Sequence, residues 1–226
     1  MQIRTQLAVT RFRSRGLILI GIAGLAGLAV LTGCGSPGPA GSAPAPATSG
    51  TSAPVGSTSS AATQAPVPTE SNPPGDIPDT TVYVAFRPAN SHVQLKVPEG
   101  WSRRDAAGNS TFTSNLNSIK VAWMPAPSPP TVRSVRATSV QALQRTTLAF
   151  RLVSVRTVRL AAGPAVETIY QVNSPPNQVT GRQYRLVIER FELSQGGNGI
   201  VLSLSSAVGS DNVDPWRIVS ESLRWT

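Results

Sequence analysis

Cysteine and histidine are almost missing from this chain: Cys34 and His92 are the only ones in 226 residues. A single thiol excludes an intramolecular disulfide, and one imidazole without further thiols excludes the usual zinc ligand sets. The sequence also contains no G-x-S-x-G, S-x-x-K, H-E-x-x-H or Walker motif. Glu189 and Glu192 are spaced by three, which places them on opposite faces of a strand and disfavours a glycosidase pair. We therefore expect no enzyme, no metal and no cofactor.

Acidic residues are missing from two long stretches. Residues 35–69 contain no charged residue at all, and residues 106–166 contain no Asp or Glu. Six arginines in the second stretch are candidate contacts for an anionic surface: Arg133, Arg136, Arg145, Arg151, Arg156 and Arg159. Solubility together with a codon bias for arginine is the alternative interpretation. The alternation of basic and aromatic residues that is typical of nucleic-acid platforms is absent, so we expect no nucleic-acid partner.

The N-terminus has three parts that together indicate a secretory signal peptide. Four arginines occur within residues 4–15, and residues 16–31 follow as an apolar run without charge. This run is shorter than the ~20 residues that a membrane-spanning helix needs. A basic head, a short apolar middle and small residues at the end are typical of an export signal that is removed. An uncleaved anchor, with Cys34 as a buried small hydrophobe, is the alternative.

The residues around the cysteine resemble a bacterial lipobox. Leu31, Thr32, Gly33 and Cys34 form an L-T-G-C sequence directly after the apolar run. This resemblance implies cleavage after Gly33, a lipid on the Cys34 sulfur and attachment to the outer face of the cytoplasmic membrane. Because Gly35 is not an aspartate, the resemblance also permits the outer membrane in a host that has one. Two or more acyl chains would make such an anchor stable.

Residues 34–79 have the composition of a linker. Between residues 35 and 69 almost every residue is Ala, Pro, Ser, Thr or Gly. Such a segment cannot bury enough apolar surface to offset the chain entropy that folding costs, so we expect it to be disordered. The sequence thus predicts a signal peptide at residues 1–33, a lipidated linker at 34–79 and one domain at 80–226.

Within residues 80–226 the hydrophobic pattern alternates with a period of two, which indicates half-buried strands. The alternating segments are residues 82–86, 92–98, 119–123, 166–172, 184–188 and 200–204. A helix is expected from Thr131 to Phe150, directly after the sequence Ser-Pro-Pro. A second helix is expected to begin at Asp214, near the C-terminus. Strands interrupted and closed by helices predict an α+β fold with a mainly antiparallel sheet.

The order of these motifs resembles the PsbP-like fold, including actinobacterial lipoproteins of the LpqN type. The resemblance rests on VPEGW at residues 97–101, AGPAVETIY at residues 162–170 and DPWRIVSESLRW at residues 214–225. It implies an αβα sandwich around an antiparallel sheet. It implies no single activity, because proteins with this fold serve as assembly factors, extrinsic subunits or surface proteins.

Two hypotheses for the function follow. The first is a membrane-anchored docking module of the cell envelope that binds an envelope protein or an anionic polymer. The alternative is a carrier that holds a small apolar ligand or lipid in a cleft beside the sheet. A large internal cavity would favour the carrier, whereas a filled core with an exposed charged surface would favour the docking module.

Overall fold

The computed structural model describes residues 64–71 and 75–226, which form ten strands, three α-helices and one π-helical segment. The strands are β1 (Tyr83–Phe86), β2 (Val93–Pro98), β3 (Ser102–Ala106), β4 (Asn109–Ser114), β5 (Asn117–Pro125), β6 (Arg151–Leu160), β7 (Gly163–Asn173), β8 (Arg185–Gln195), β9 (Asn198–Ala207) and β10 (Arg224–Trp225). The helices are α1 (Val132–Val135), α2 (Gln141–Thr146) and α3 (Val213–Ser222), and the π-helical segment Arg136–Val140 joins α1 to α2.

Seven strands form the main sheet in the order β3-β4-β5-β9-β8-β7-β6, and every neighbouring pair is antiparallel. Two meanders, β3 to β5 and β6 to β9, meet where β9 pairs with β5. The chain between β5 and β6 therefore has to cross the sheet from its middle to its far edge. The segment from α1 to α2 lies in this crossing. A smaller sheet has the order β1-β2-β10.

The main sheet is covered on both faces. On the front face, Ile119, Leu202 and Leu204 pack in one core with β2 and α3 and are completely removed from solvent. On the back face, Val135 and Val140 pack against residues of β6 and β7. The structure thus confirms the predicted α+β fold, a mainly antiparallel sheet with helices on its faces.

The helical crossing begins as the sequence predicts and ends earlier. The Thr131 hydroxyl accepts a hydrogen bond from the Ser134 N–H at 3.1 Å, and the Ser134 hydroxyl accepts one from the Thr131 N–H at 2.9 Å. This reciprocal cap starts α1. The helix ends at Thr146 rather than at Phe150, because Thr147 is extended, with φ of −111° and ψ of 148°, and Ala149 then has a positive φ of 50°. Phe150 instead packs under the helix on Tyr170, with 5.5 Å between the ring centroids.

All the predicted strand segments are strands, but four further strands had not been predicted. β3 has the sequence SRRDA and is exposed at every position, so it carries no hydrophobic pattern. β6 contains a bulge at Val153 that interrupts its period of two. β4 is mostly Ser and Thr, and β10 has two residues. Their pairing with a neighbour, rather than their own sequence, makes these segments strands.

Residues ahead of Thr80 also belong to the packed structure. The Ile77 side chain is 5% exposed and lies in the front core. Its N–H donates to the Asn212 Oδ1 at 2.8 Å, while the Asn117 and Asn212 amides donate to the Gly75 carbonyl at 2.6 and 2.9 Å. The packed residues therefore begin before Thr80, the boundary expected from composition. Within the described part of the chain, no helix is long and apolar enough to cross a bilayer.

We predict that Ile77→Ala lowers the free energy of unfolding by about 2–5 kcal/mol, because it leaves a cavity in the front core. Ile218→Ala in α3 is the matched control, since Ile218 is 39% exposed and its truncation leaves no comparable cavity. Urea unfolding of the two variants gives the comparison. Equal losses would show that the segment before Thr80 adds nothing to the core.

Candidate functional site

The six candidate arginines come from two neighbouring parts of the structure. Three lie on the helical crossing, three lie on the edge strand β6, and all six are exposed. The crossing packs on the back of β6 and β7 through Val135 and Val140, so the two groups lie in one region. We call this the arginine surface: Arg133, Arg136, Arg145, Arg151, Arg156 and Arg159.

The arginine surface wraps around an edge of the sheet instead of covering one face. In β6, Arg156 lies opposite Glu167 and Arg159 lies opposite Pro164. Because side chains alternate along a strand, Arg156 is on the front face and Arg159 is on the back face beside the helix. β6 has ten residues and, among the described residues, pairs only with β7. Its outer edge therefore carries positive charge on both sides.

Only one of the six arginines has an ion pair with a described residue. Arg156 pairs with the carboxylate of Glu167, whose side chain is 7% exposed. This hydrogen bond raises the pKa of the Arg156 guanidinium. The other five arginines make no ion pair with any residue that the structure describes. Arg156 thus compensates a buried carboxylate, whereas the charges of the other five are available to a partner.

Arg151 lies near a second, buried arginine. Arg185 is 5% exposed, and its Nη1 donates to the Ala149 carbonyl at 2.7 Å and to the Asn173 Oδ1 at 3.1 Å. Its Nη2 has no hydrogen-bond partner among the described residues. Burial lowers the pKa of Arg185, and the charge of Arg151 lowers it further. An anion bound at Arg151 would relieve this repulsion.

Glu189 and Glu192 lie on opposite faces of β8, as their spacing predicted, and have different surroundings. Burial raises the pKa of Glu189, the charge of Glu167 raises it further, and Arg156 lowers it. Glu192, on the back face, accepts hydrogen bonds from the Arg190 Nε at 3.0 Å and from the Ser139 hydroxyl at 2.9 Å. Two carboxylates on opposite faces cannot act on one substrate, so the geometry does not form a hydrolytic pair.

A cleft does exist beside the sheet, where the carrier hypothesis placed one. It lies between α1, the π-helical segment and the ends of β8 and β9, and its volume is about 200 Å³. Glu192 lines this cleft, and the Ser139 hydroxyl of the π-helical segment donates a hydrogen bond to it. Ser139 therefore lies beside the cleft. The cleft opens to solvent, and it is below the ~300–1,000 Å³ that ligand pockets typically have. Its size does not favour a lipid carrier.

Sequence reasoning missed a second region, at the end of β5. The four tryptophans of this chain do not all lie in the core. Only Trp216 is fully buried, at 4% exposure. His92, Trp123 and Trp225 line one cleft together with Asn90 and Asn198. The alternating pattern of β5 does place Trp123 on the front face, but no local signal shows that the loop before β2 lies beside it.

The lipobox residues lie outside the described residues, so lipidation of Cys34 and cleavage after the Leu31, Thr32 and Gly33 motif stay predictions. Within residues 64–71 and 75–226, no group of three or more His, Cys, Asp or Glu side chains is arranged to hold a metal ion.

No family model matches the chain, and no curated protein matches its sequence. Among solved structures, it is similar to the PsbP protein of Synechocystis sp. PCC 6803, with 15% identity, 69% of this chain and 100% of that chain covered, and a TM-score of 0.46.

Two further structures have comparable similarity. For a protein from Bacteroides thetaiotaomicron the identity is 11%, the coverage is 63% of this chain and 48% of that chain, and the TM-score is 0.44. The chain thus spans about half the length of that protein. For the Ran-binding protein Mog1p of Saccharomyces cerevisiae the identity is 10%, the coverage is 57% and 79%, and the TM-score is 0.40. A PsbP protein is among these structures, but at such identities and scores no family, partner or activity is transferred to this chain.

We predict that Arg156→Ala lowers the free energy of unfolding, because it leaves the buried Glu167 carboxylate without its cation. Arg159→Ala, on the same strand, is the matched control, since Arg159 is exposed and has no ion pair with a described residue. Its effect is expected to stay within about 0.5 kcal/mol. Chemical denaturation measures both variants, and an equal loss in the two would contradict a structural role of Arg156.

Proposed function

We propose that this chain is a non-catalytic docking module of the bacterial cell envelope that binds an anionic, phosphate-bearing polymer through the arginine surface. The observation that carries this proposal is the set of five exposed arginines without an ion pair to any described residue. They come from two adjacent elements, and the only ion pair in the set is that of Arg156 with Glu167. Guanidinium groups bind phosphate in a bidentate geometry, so this chemistry suits a phosphate polymer.

The location of the module follows from the lipobox resemblance. A lipid on Cys34 would anchor the mature chain to the outer face of the cytoplasmic membrane, or to the outer membrane in a host that has one. The residues after Cys34 would act as a spacer, because they are rich in proline and small residues. The folded domain could then reach polymers at some distance from the membrane surface.

The filled core favours the docking module over a carrier of an apolar ligand. The front core contains seventeen buried residues, and seven of them are completely removed from solvent. The clefts described above lie at the surface of the domain. A carrier of an apolar molecule needs an enclosed apolar volume, which these clefts do not offer. An acidic envelope protein would meet the same charges, and the experiment below separates it from a polymer.

The anchor is tested by the mass of the mature chain purified from its own host. We expect a chain that lacks residues 1–33 and carries a diacylglycerol on Cys34, because the L-T-G-C sequence supplies the thiol that accepts the lipid. A full-length chain with a free Cys34 thiol would contradict the anchor.

The docking surface is tested by the affinity of the full mature chain, kept in detergent, for poly(glycerol phosphate). A triple variant, Arg133→Gln, Arg145→Gln and Arg159→Gln, is expected to bind roughly tenfold more weakly, since each exposed ion pair contributes a few tenths to 1 kcal/mol. Binding by the unmodified chain should also weaken as salt is added.

The matched control replaces three other arginines by glutamine. All three are exposed and have no ion pair with a described residue: Arg87, Arg104 and Arg224. The two triple variants have the same net charge, so general attraction to an anion is equal in both. Equal affinities would contradict a defined arginine surface. No binding of the polymer by the unmodified chain would overturn the polymer as partner and leave an acidic protein as the occupant to test.

A further inference from the structure

Two clefts lie side by side at the end of β5. The first has a volume of about 200 Å³ and the second of about 320 Å³. Asn90 and Trp123 line both of them, so the two clefts adjoin at these residues. We call this the Trp123 groove, and its lining includes Asn90, His92, Asp105, Trp123, Asn198 and Trp225. It lies mainly on the β3 to β5 half of the sheet, and none of the residues that line it belongs to the arginine surface.

The two indole rings of the groove are held by the fold. Trp123 lies in β5 opposite Ile200, and its backbone N–H donates to the Gly108 carbonyl at 2.9 Å. Both Trp123 and Trp225 pack against the front core and are partly buried. The Trp225 Nε1 donates to the Ala162 carbonyl at 2.9 Å. The rings therefore present fixed apolar surfaces to the groove without losing conformational entropy on binding.

The loop between β1 and β2 brings planar polar groups beside these rings. The Ser91 N–H donates to the Pro88 carbonyl at 3.3 Å, which closes a turn and leaves Asn90 with a positive φ of 58°. His92 follows directly, and the Thr226 N–H donates to its carbonyl at 2.9 Å. Both side chains are exposed. An amide and an imidazole offer donors and acceptors in a defined plane.

The part of the groove that β3 lines contains an ion pair between Arg103 and Asp105. The Arg103 Nε donates to both Asp105 oxygens, at 3.1 and 3.0 Å, and the Ser110 hydroxyl donates to Oδ1 at 2.7 Å. The Arg103 guanidinium also lies 4.6 Å from the centre of the Phe86 ring. The hydrogen bond from Arg103, followed by that from Ser110, lowers the pKa of Asp105. The carboxylate is thus fixed and ionised, and the net charge of the wall is close to zero.

This combination specifies a ligand class. Fixed indole surfaces suit the apolar C–H faces of a ring, and planar amide, imidazole and carboxylate groups suit several hydroxyls on the rim of the same ring. A lipid would need continuous apolar walls, and a phosphate would need a cation that Asp105 does not already neutralise. We infer that the Trp123 groove binds an uncharged saccharide chain, with Trp123 as the central platform.

The inference is tested on the full mature chain by the indole N–H signals in a nitrogen-15 NMR spectrum. The probes are three uncharged trisaccharides, built from N-acetylglucosamine, from α-linked glucose and from mannose, each added to millimolar concentration. Binding of at least one of them should shift the signals of Trp123 and Trp225 and leave that of the buried Trp216 unchanged. No shift with any of the three would overturn the inference.

Substitutions then locate the binding site. Asn90→Gly removes the amide while glycine keeps the positive φ, and it should weaken binding about tenfold, as expected for the loss of one good hydrogen bond. Asn115→Gly is the matched control, because Asn115 also has a positive φ, of 50°, and lies in the turn between β4 and β5. An equal loss with Asn115→Gly would contradict the groove as the site.

Trp123→Leu is expected to reduce binding at least as strongly as Asn90→Gly, and Trp123→Phe should retain part of it because a ring remains. If the leucine variant does not fold, the Asn90 comparison still decides the question. Poly(glycerol phosphate) should not displace the saccharide, because the two proposed sites are separate. Displacement would show that the groove is part of the anionic site and would overturn an uncharged ligand.

Discussion

The pairing of β5 with β9 is the constraint on which the rest of this structure depends. Each meander can form its own hairpins locally, but neither has a partner for its inner edge until these two strands meet. Eight consecutive residue pairs join them, from Ser118 with Ser205 to Pro125 with Asn198. The pairing brings Ile119, Leu202 and Leu204 onto one face, where β2 and α3 can cover them. Because its partners are far apart in the chain, it costs loop-closure entropy before it adds stability.

Both candidate sites follow from that pairing. The chain has to pass from the centre of the sheet to its far edge, and this crossing places three arginines of the helical segment beside three arginines of β6. The same pairing also places the end of β5 beside the start of β9. There, the Cα hydrogen of Gly199 faces Ala126. A Cβ at Gly199 would lie 2.7 Å from the Ala126 Cβ, so the chain can approach this closely only with glycine. The Trp123 groove opens beside this junction.

The two proposed binding surfaces would suit a tethered module. The arginine surface and the Trp123 groove share no residue, so under the two proposals one molecule could contact two polymers at once. The effective concentration of a second contact rises when the first is made, which gives avidity without a tight individual site. A membrane anchor would add a third attachment. In such an arrangement each contact can be weak, which agrees with clefts that are shallow and open.

The sequence by itself determined most of the strands and the start of the first helix, because these features depend on residues that are neighbours in the chain. Alternation in β2 and β9, the proline and cap before α1, and the glycines between β8 and β9 each act on neighbouring residues. Even the separation of Glu189 from Glu192 follows from spacing alone. The motifs before residue 64 likewise need no fold to be interpreted. By contrast, β3 has no apolar residue that packs and β6 has a bulge, so only their partners make them strands. The tertiary structure alone decided that Ile77 is in the core, that Arg156 neutralises Glu167, and that His92 lies beside Trp123, because each of these depends on contact between residues distant in the chain.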